Sequence, residues 1–137
     1  MGKPHTRVYA ETVFELVEPD GTAPVDVTLA YETSAPHTVV MELEIRESHR
    51  PSVWALSRSM LAEGLLVPAG LGDVQITPAT PEFVLLQLGD DAEQASLWMP
   101  LAEIEEFLES TYDAVPVGEE DQWLEVDTTL DQILKAG

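Results

Sequence analysis

The side chains that most often do chemistry are few in this chain and poorly spaced for it. Its three histidines, His5, His37 and His49, stand apart. None lies two or four residues from another, the spacings that place two imidazoles on one strand or helix face, and no HExxH frame exists. There is no cysteine, which removes thiolate nucleophiles, disulfides and Cys-based zinc sites. A serine nucleophile needs a neighbouring base and usually a strained elbow, and no G-x-S-x-G is present. Adjacent acids such as Glu105 and Glu106 are expected by composition alone in a chain with 26 carboxylates, so they mark no acid–base pair. Gly70-Leu71-Gly72 lacks the Lys and Ser/Thr that follow a phosphate-cradling loop. These residues point to no catalytic centre, no cofactor and no metal, and so to a protein that is not an enzyme.

Recognition residues are the better candidates. Trp54, Trp98 and Trp123 are large for a chain of 137 residues. Each either fills the core or anchors an interface, since Trp is enriched at binding hot spots. Trp123 is the stronger anchor candidate because its surroundings, Gly-Glu-Glu-Asp-Gln before and Leu-Glu-Val-Asp after, are mostly polar. Gly118, in Val115-Pro116-Val117-Gly118, either makes a turn or shapes a loop that presents a contact surface. Arg58 is the one basic residue of a short helix expected at 58–63; as an exposed partner of a surface acid it would contribute about 0–1 kcal/mol. Gly118, Trp123 and Arg58 are the candidate partner-contact residues.

Charge limits what such contacts could be. Six Lys and Arg oppose 26 acids, for a net charge of −20. Binding to nucleic acid needs basic groups that displace counterions from phosphate, and this field repels DNA, RNA and anionic lipid. Five of the six bases (Lys3, Arg7, Arg46, Arg50 and Arg58) lie before residue 59, and from there on Lys135 faces 17 acids. The second half is either a solvated coat or a surface for a basic partner. No apolar run nears the ~20 residues of a membrane helix. The first eleven residues show no apolar signal region, so a cytoplasmic location is expected.

Periodicity predicts the elements that hold these residues. A length of 137 residues and 45% apolar content suit one domain, 1–137. Arg7 to Val17 alternates, with Val8, Ala10, Thr12, Phe14 and Leu16 on one face. Val25 to Tyr31 and Val39 to Arg46 alternate likewise, with turns at 18–21 and 34–37. This is the pattern of an antiparallel meander with one wet face. Ser52 to Leu56 is a fourth strand. Ser57 can cap the helix at 58–63, with Gly64 at its left-handed C′ position. After a Pro-Gly turn, strands are expected at 73–77, 83–88 and 93–98, the last two as a hairpin. Pro100 should occupy the first position of a helix bearing Leu101, Ile104, Phe107 and Leu108 on one stripe. Residues 113–122 read as a loop. Asp127 or Thr128 caps a last helix, with Leu130, Ile133 and Leu134 facing inward. No internal repeat is visible. The fold class is α+β, antiparallel sheet with a short central helix and two C-terminal helices.

The segment Leu61-Ala62-Glu63-Gly64-Leu65, followed by Gly72-Asp73-Val74, resembles the centre of the SsgA-like sporulation and cell-division proteins of actinomycetes. Phe107-Leu108, Ala114-Val115-Pro116 with Gly118, Asp127-Thr128 and Ile133-Leu134 extend the resemblance over residues 7–136. The family's usual aromatic-Ala-Arg-Asp stretch before LAEGL is reduced here to Arg58 within Leu56-Ser57-Arg58-Ser59-Met60. The overall plan is most similar to the SsgB branch. The resemblance implies a non-enzymatic adaptor that helps position the FtsZ division ring at the septum, with FtsZ and an SsgA-like protein as partners. It also implies a whirly-like, barrel-forming fold and a homotrimer. Whirly folds bind single-stranded nucleic acid, which is the alternative function; the net charge opposes it.

Overall fold

A computed structural model describes residues 4–46 and 50–124. Eight strands form one antiparallel sheet: β1 (Arg7–Glu18), β2 (Gly21–Glu32), β3 (Thr38–Ile45), β4 (Pro51–Ser57), β5 (Ala69–Leu71), β6 (Val74–Pro78), β7 (Phe83–Gly89) and β8 (Gln94–Pro100). Helix α1 (Arg58–Gly64) follows β4, and helix α2 (Leu101–Ala114) follows β8. The spatial order is β4-β3-β2-β1-β8-β7-β6-β5. The chain therefore makes the same motif twice, a four-stranded meander followed by a helix, although its sequence shows no repeat.

Alternation decides which face is buried. Phe14, Val25, Val27, Leu29, Tyr31, Val39, Met41 and Leu56 line the inner face of the first meander. Ile76, Val84, Leu86, Leu97 and Met99 line the second, and all of these belong to one core. The two meanders are joined by a short ladder of Glu15 with Trp98 and Leu16 with Leu97. Around that seam the sheet curls so that both inner faces meet. Leu61 of α1 and Ile104, Phe107 and Leu108 of α2 complete the core. Thr12 donates a hydrogen bond to Glu103, which fixes α2 against β1.

Four local expectations are corrected. The Pro-Gly segment is not all turn: Ala69, Gly70 and Leu71 pair with Ile76, Gln75 and Val74 as the edge strand β5. Gly64 does not take a left-handed conformation, since the positive φ angles belong to Gly21, Gly72, Gly89 and Gly118. It is the last residue of α1, buried, and a Cβ there would strike the Ile76 side chain. Close packing of helix on strand requires this glycine. Pro100 is the N-cap residue and still ends β8, so α2 begins at Leu101. The predicted 113–122 loop is shorter, because α2 runs to Ala114 and residues 120–124 are helical. The expected helix cap at Asp127 or Thr128, with Leu130, Ile133 and Leu134, lies outside the described residues, as does His49.

Gly64→Ala tests the packing argument. In a free helix this change would stabilise by about 1 kcal/mol. Here the added methyl meets Ile76, which is 0% exposed and has nowhere to move. Overpacking of this kind costs about 1–3 kcal/mol. A lower denaturant midpoint for Gly64→Ala is expected; an unchanged or raised midpoint would refute the packing role.

Candidate functional site

The candidate residues converge where β4 passes into α1. Ser57 caps the helix, its hydroxyl accepting from the Met60 N–H at 3.2 Å. This places Arg58 on the first turn, with its own N–H donating to the His37 carbonyl at 2.8 Å. Its side chain points inward and is 1% exposed. Among the described residues it is the one charged side chain in the buried set.

Every face of the guanidinium is occupied. Nη1 donates to the Thr111 carbonyl at 3.0 Å and the Val115 carbonyl at 2.8 Å. These acceptors belong to the end of α2, where the dipole favours a cation; the Thr111 carbonyl also accepts the Val115 N–H at 2.9 Å. Nη2 meets the Glu120 carboxylate at 3.0 Å. The rings of Tyr31 and Tyr112 flank the guanidinium carbon, with centroids at 4.9 and 4.6 Å. A planar, delocalised cation fits between rings in a way an ammonium would not. Tyr31 is held in turn by donating to the Pro36 carbonyl at 2.9 Å.

Glu120 extends the arrangement. Its second carboxylate oxygen accepts the Gly118 N–H at 2.8 Å. Its own backbone N–H, the Arg58 guanidinium and the Gly118 N–H hold the carboxyl below its ordinary pKa of 4.5, against the opposing effect of partial burial. Burial pushes the Tyr31 hydroxyl up. Next along the chain, Asp121 lies 3.2 Å from the His37 ring, and Trp123 packs at 5.7 Å from the His5 ring.

The structure thus joins Arg58 to Gly118 through Glu120 and puts Trp123 one helical turn further on. Arg58 is not the exposed surface pair that its sequence suggested; it is buried, with three hydrogen bonds and two aromatic rings around its guanidinium. Trp123 is 8% exposed and belongs to the core, which is the packing reading of its two. Gly118 has φ +89 and open space around its Cβ position, so the backbone angle rather than crowding selects glycine. Next to it Val117 is 73% exposed. Glu120, Tyr31 and Tyr112 were not singled out by sequence. Glu120 is one acid among many, and Tyr31 looks like any inward strand residue.

This cluster is a clasp, not a reaction centre: its cation, carboxylate and carbonyls are engaged with one another. Among the described residues, no three His, Asp or Glu side chains are grouped to hold a metal ion, and no helix is long and apolar enough to cross a membrane. Exposed apolar surface lies elsewhere. On the outer face of the first meander Tyr9, Ala30, Val40 and Ala55 form one cross-strand row. A groove of 540 Å³ opens between the meanders, with Leu16, Leu43, Trp54, Leu88 and Leu97 in its lining. Leu66, Val67 and Leu71 are exposed between α1 and the end of β5.

Residues 25–120 match the family described as Streptomyces sporulation and cell division protein, SsgA. The chain is 36% identical to the sporulation-specific cell division protein SsgB of Saccharopolyspora erythraea, covering 98% of this chain and 96% of that protein. It is 37% identical to SsgB of Salinispora tropica, over 94% of each. Its fold matches the crystal structure of an SsgA-like sporulation-specific cell division protein from Thermobifida fusca, with TM-score 0.88, 26% identity and coverage of 96% and 98%. It also matches, with TM-score 0.80, 31% identity and coverage of 90% and 99%, a structure from work in which SsgB mutations correlate with longitudinal cell division during sporulation of Streptomyces coelicolor.

The clasp makes a stability prediction with a defined sign. Arg58→Met takes a donor from the Thr111 and Val115 carbonyls and the charge partner from Glu120, whose carboxylate keeps the Gly118 N–H; breaking a buried ion pair costs about 3–5 kcal/mol. Glu120→Gln removes only the charge. A carboxyl with a depressed folded pKa contributes stability that is present above its unfolded value and is lost as pH falls through the folded one. Wild type should therefore exceed Glu120→Gln in denaturant midpoint at neutral pH. The gap should close as pH falls below 4.5, the ordinary value of this carboxyl. A gap independent of pH would show that the charge of Glu120 is not what stabilises the clasp.

Proposed function

The chain belongs to the SsgA-like family of sporulation and cell-division proteins, and on that premise we propose that it is a non-enzymatic adaptor of sporulation-specific septation. In this reading it helps to position the FtsZ division ring at septum sites by protein–protein contact, together with an SsgA-like partner. It works as a homotrimer of whirly-like subunits. The observation that carries the reading is the near full-length likeness to SsgB proteins at 33–37% identity, over 94–98% of this chain. The clasp supports it by a physical route: it fixes the loop bearing Val117 and Gly118 to the body of the domain, so that a partner would meet a preorganised surface.

The net charge of −20 works against the nucleic-acid alternative, because a protein with this field would pull counterions toward itself rather than release them from phosphate. Partners should then be protein surfaces.

Purified FtsZ is expected to be retained by the immobilised chain, at low and moderate salt, above a charge-matched acidic control. Retention no better than the control would overturn the adaptor reading. Size exclusion with light scattering should give three times the 15.0 kDa chain mass; a clean monomer would overturn the trimer.

A further inference from the structure

The most exposed leucines of the described residues lie in one short segment. Leu66 is 82% exposed, Leu71 76% and Val67 48%. They bracket the run from the end of α1 into β5, the terminal strand of the sheet. Leu71 stands across from Val74, which is only 7% exposed, so one member of this cross-strand pair is covered and the other bare. The segment is held firmly. Leu66 and Val67 both donate backbone hydrogen bonds to the Glu63 carbonyl at 2.9 Å, and Gly72, at φ +60, turns β5 into β6. Exposed leucines on an ordered segment are apolar surface whose covering is favourable.

Charge says what covers them. Glu63 and Asp73 are exposed at the two ends of the segment. From residue 59 to residue 134 the chain holds no Lys or Arg. A second copy that meets this segment with its own, or with any other part of its run from 59 to 134, sets no Lys or Arg against Glu63 and Asp73. A segment with apolar side chains between basic flanks satisfies both requirements: the apolar part covers Leu66, Val67 and Leu71, and the flanks meet Glu63 and Asp73. We infer that the α1–β5 segment is a docking site for an apolar partner peptide with Lys or Arg on either side. This rests on the adaptor reading above and names the surface and the partner chemistry that it would use.

Fluorescence anisotropy with three synthetic peptides tests it. They share one apolar core, flanked by Lys, by Ser or by Glu. The expected result is binding in the order Lys, Ser, Glu, with the Lys-flanked peptide weakened by added salt. The Leu66→Ser/Leu71→Ser variant should weaken the Lys-flanked peptide about tenfold or more, and Val67→Ser gives a milder second variant. All three positions are solvent-facing, so thermal unfolding should be unchanged. Equal binding of the Lys-flanked peptide to wild type and double variant would reduce the effect to general charge attraction and overturn the site. So would no binding of that peptide, or equal binding of the Glu-flanked one. A change of oligomer mass in the double variant would assign the surface to self-association instead. FtsZ retention on the same proteins is read separately: failure by wild type overturns the adaptor reading, whereas retention unaffected by the leucine changes overturns only this surface.

Discussion

The burial of Arg58 is the constraint on which the arrangement of the second half depends. Taking a guanidinium out of water costs several kcal/mol unless its donors and its charge are met. Here they are met by parts of the chain far apart in sequence: the Thr111 and Val115 carbonyls are 53 and 57 residues away, and Glu120 is 62. None of those partners comes into place unless α2 lies across the core and the chain folds back after Val115. A buried apolar residue at this position would stabilise by volume and tolerate several packings. Arg58 tolerates few, because a displaced α2 would strand a buried charge. The interaction thus selects one geometry among many compact ones, a role for which buried polar groups are suited only when fully paired.

The same logic explains how so acidic a chain stays folded. Repulsion among 26 carboxylates opposes compaction, and the few cations are placed where they relieve it locally. Arg7 of β1 pairs with Glu32 of β2 at 2.8 Å, and Arg46, just past the end of β3, with Asp26 of β2 at 3.0 Å. Those exposed pairs contribute little. Arg58 is different because its own side chain is buried, which weakens screening of its pair with the partly buried Glu120, and because it also meets the negative end of α2. Beyond residue 58 the described chain has no Lys or Arg, and its acids Glu103, Glu120 and Asp121 find side-chain partners in the first half of the chain, in Thr12, Arg58 and His37.

Much of the fold was legible in the sequence because strand alternation is a local property. The inward positions of β1 to β3, from Phe14 to Leu43, are those that the period of two picks out. The stripe of α2 was legible for the same reason. What was not legible depended on distant neighbours. Gly64 looked like a helix stop because glycine often is one, and only the position of Ile76 shows that it is a packing glycine. The strand β5 was hidden because Pro and Gly signal turns, while three residues paired to one neighbour need little propensity of their own. Arg58 was marked by sequence as unusual but placed on the surface. No local signal distinguishes a cation that will find two carbonyls, a carboxylate and two tyrosine rings from one that will find water.

The clasp and the exposed leucines stand at opposite ends of α1, which suggests how they divide the work. Arg58, on the first turn, is locked to α2; Gly64, on the last, is pressed against Ile76. A seven-residue helix held at both ends has little freedom to tilt. The segment that leaves it, with Leu66 and Val67, therefore starts from a fixed point, and β5 returns it to the sheet. Rigid presentation lowers the ordering cost of association, so a small apolar surface can contribute more to binding than its area alone would suggest. On this view the buried cation matters for recognition although no partner would touch it: it fixes the helix from which the exposed side chains are displayed.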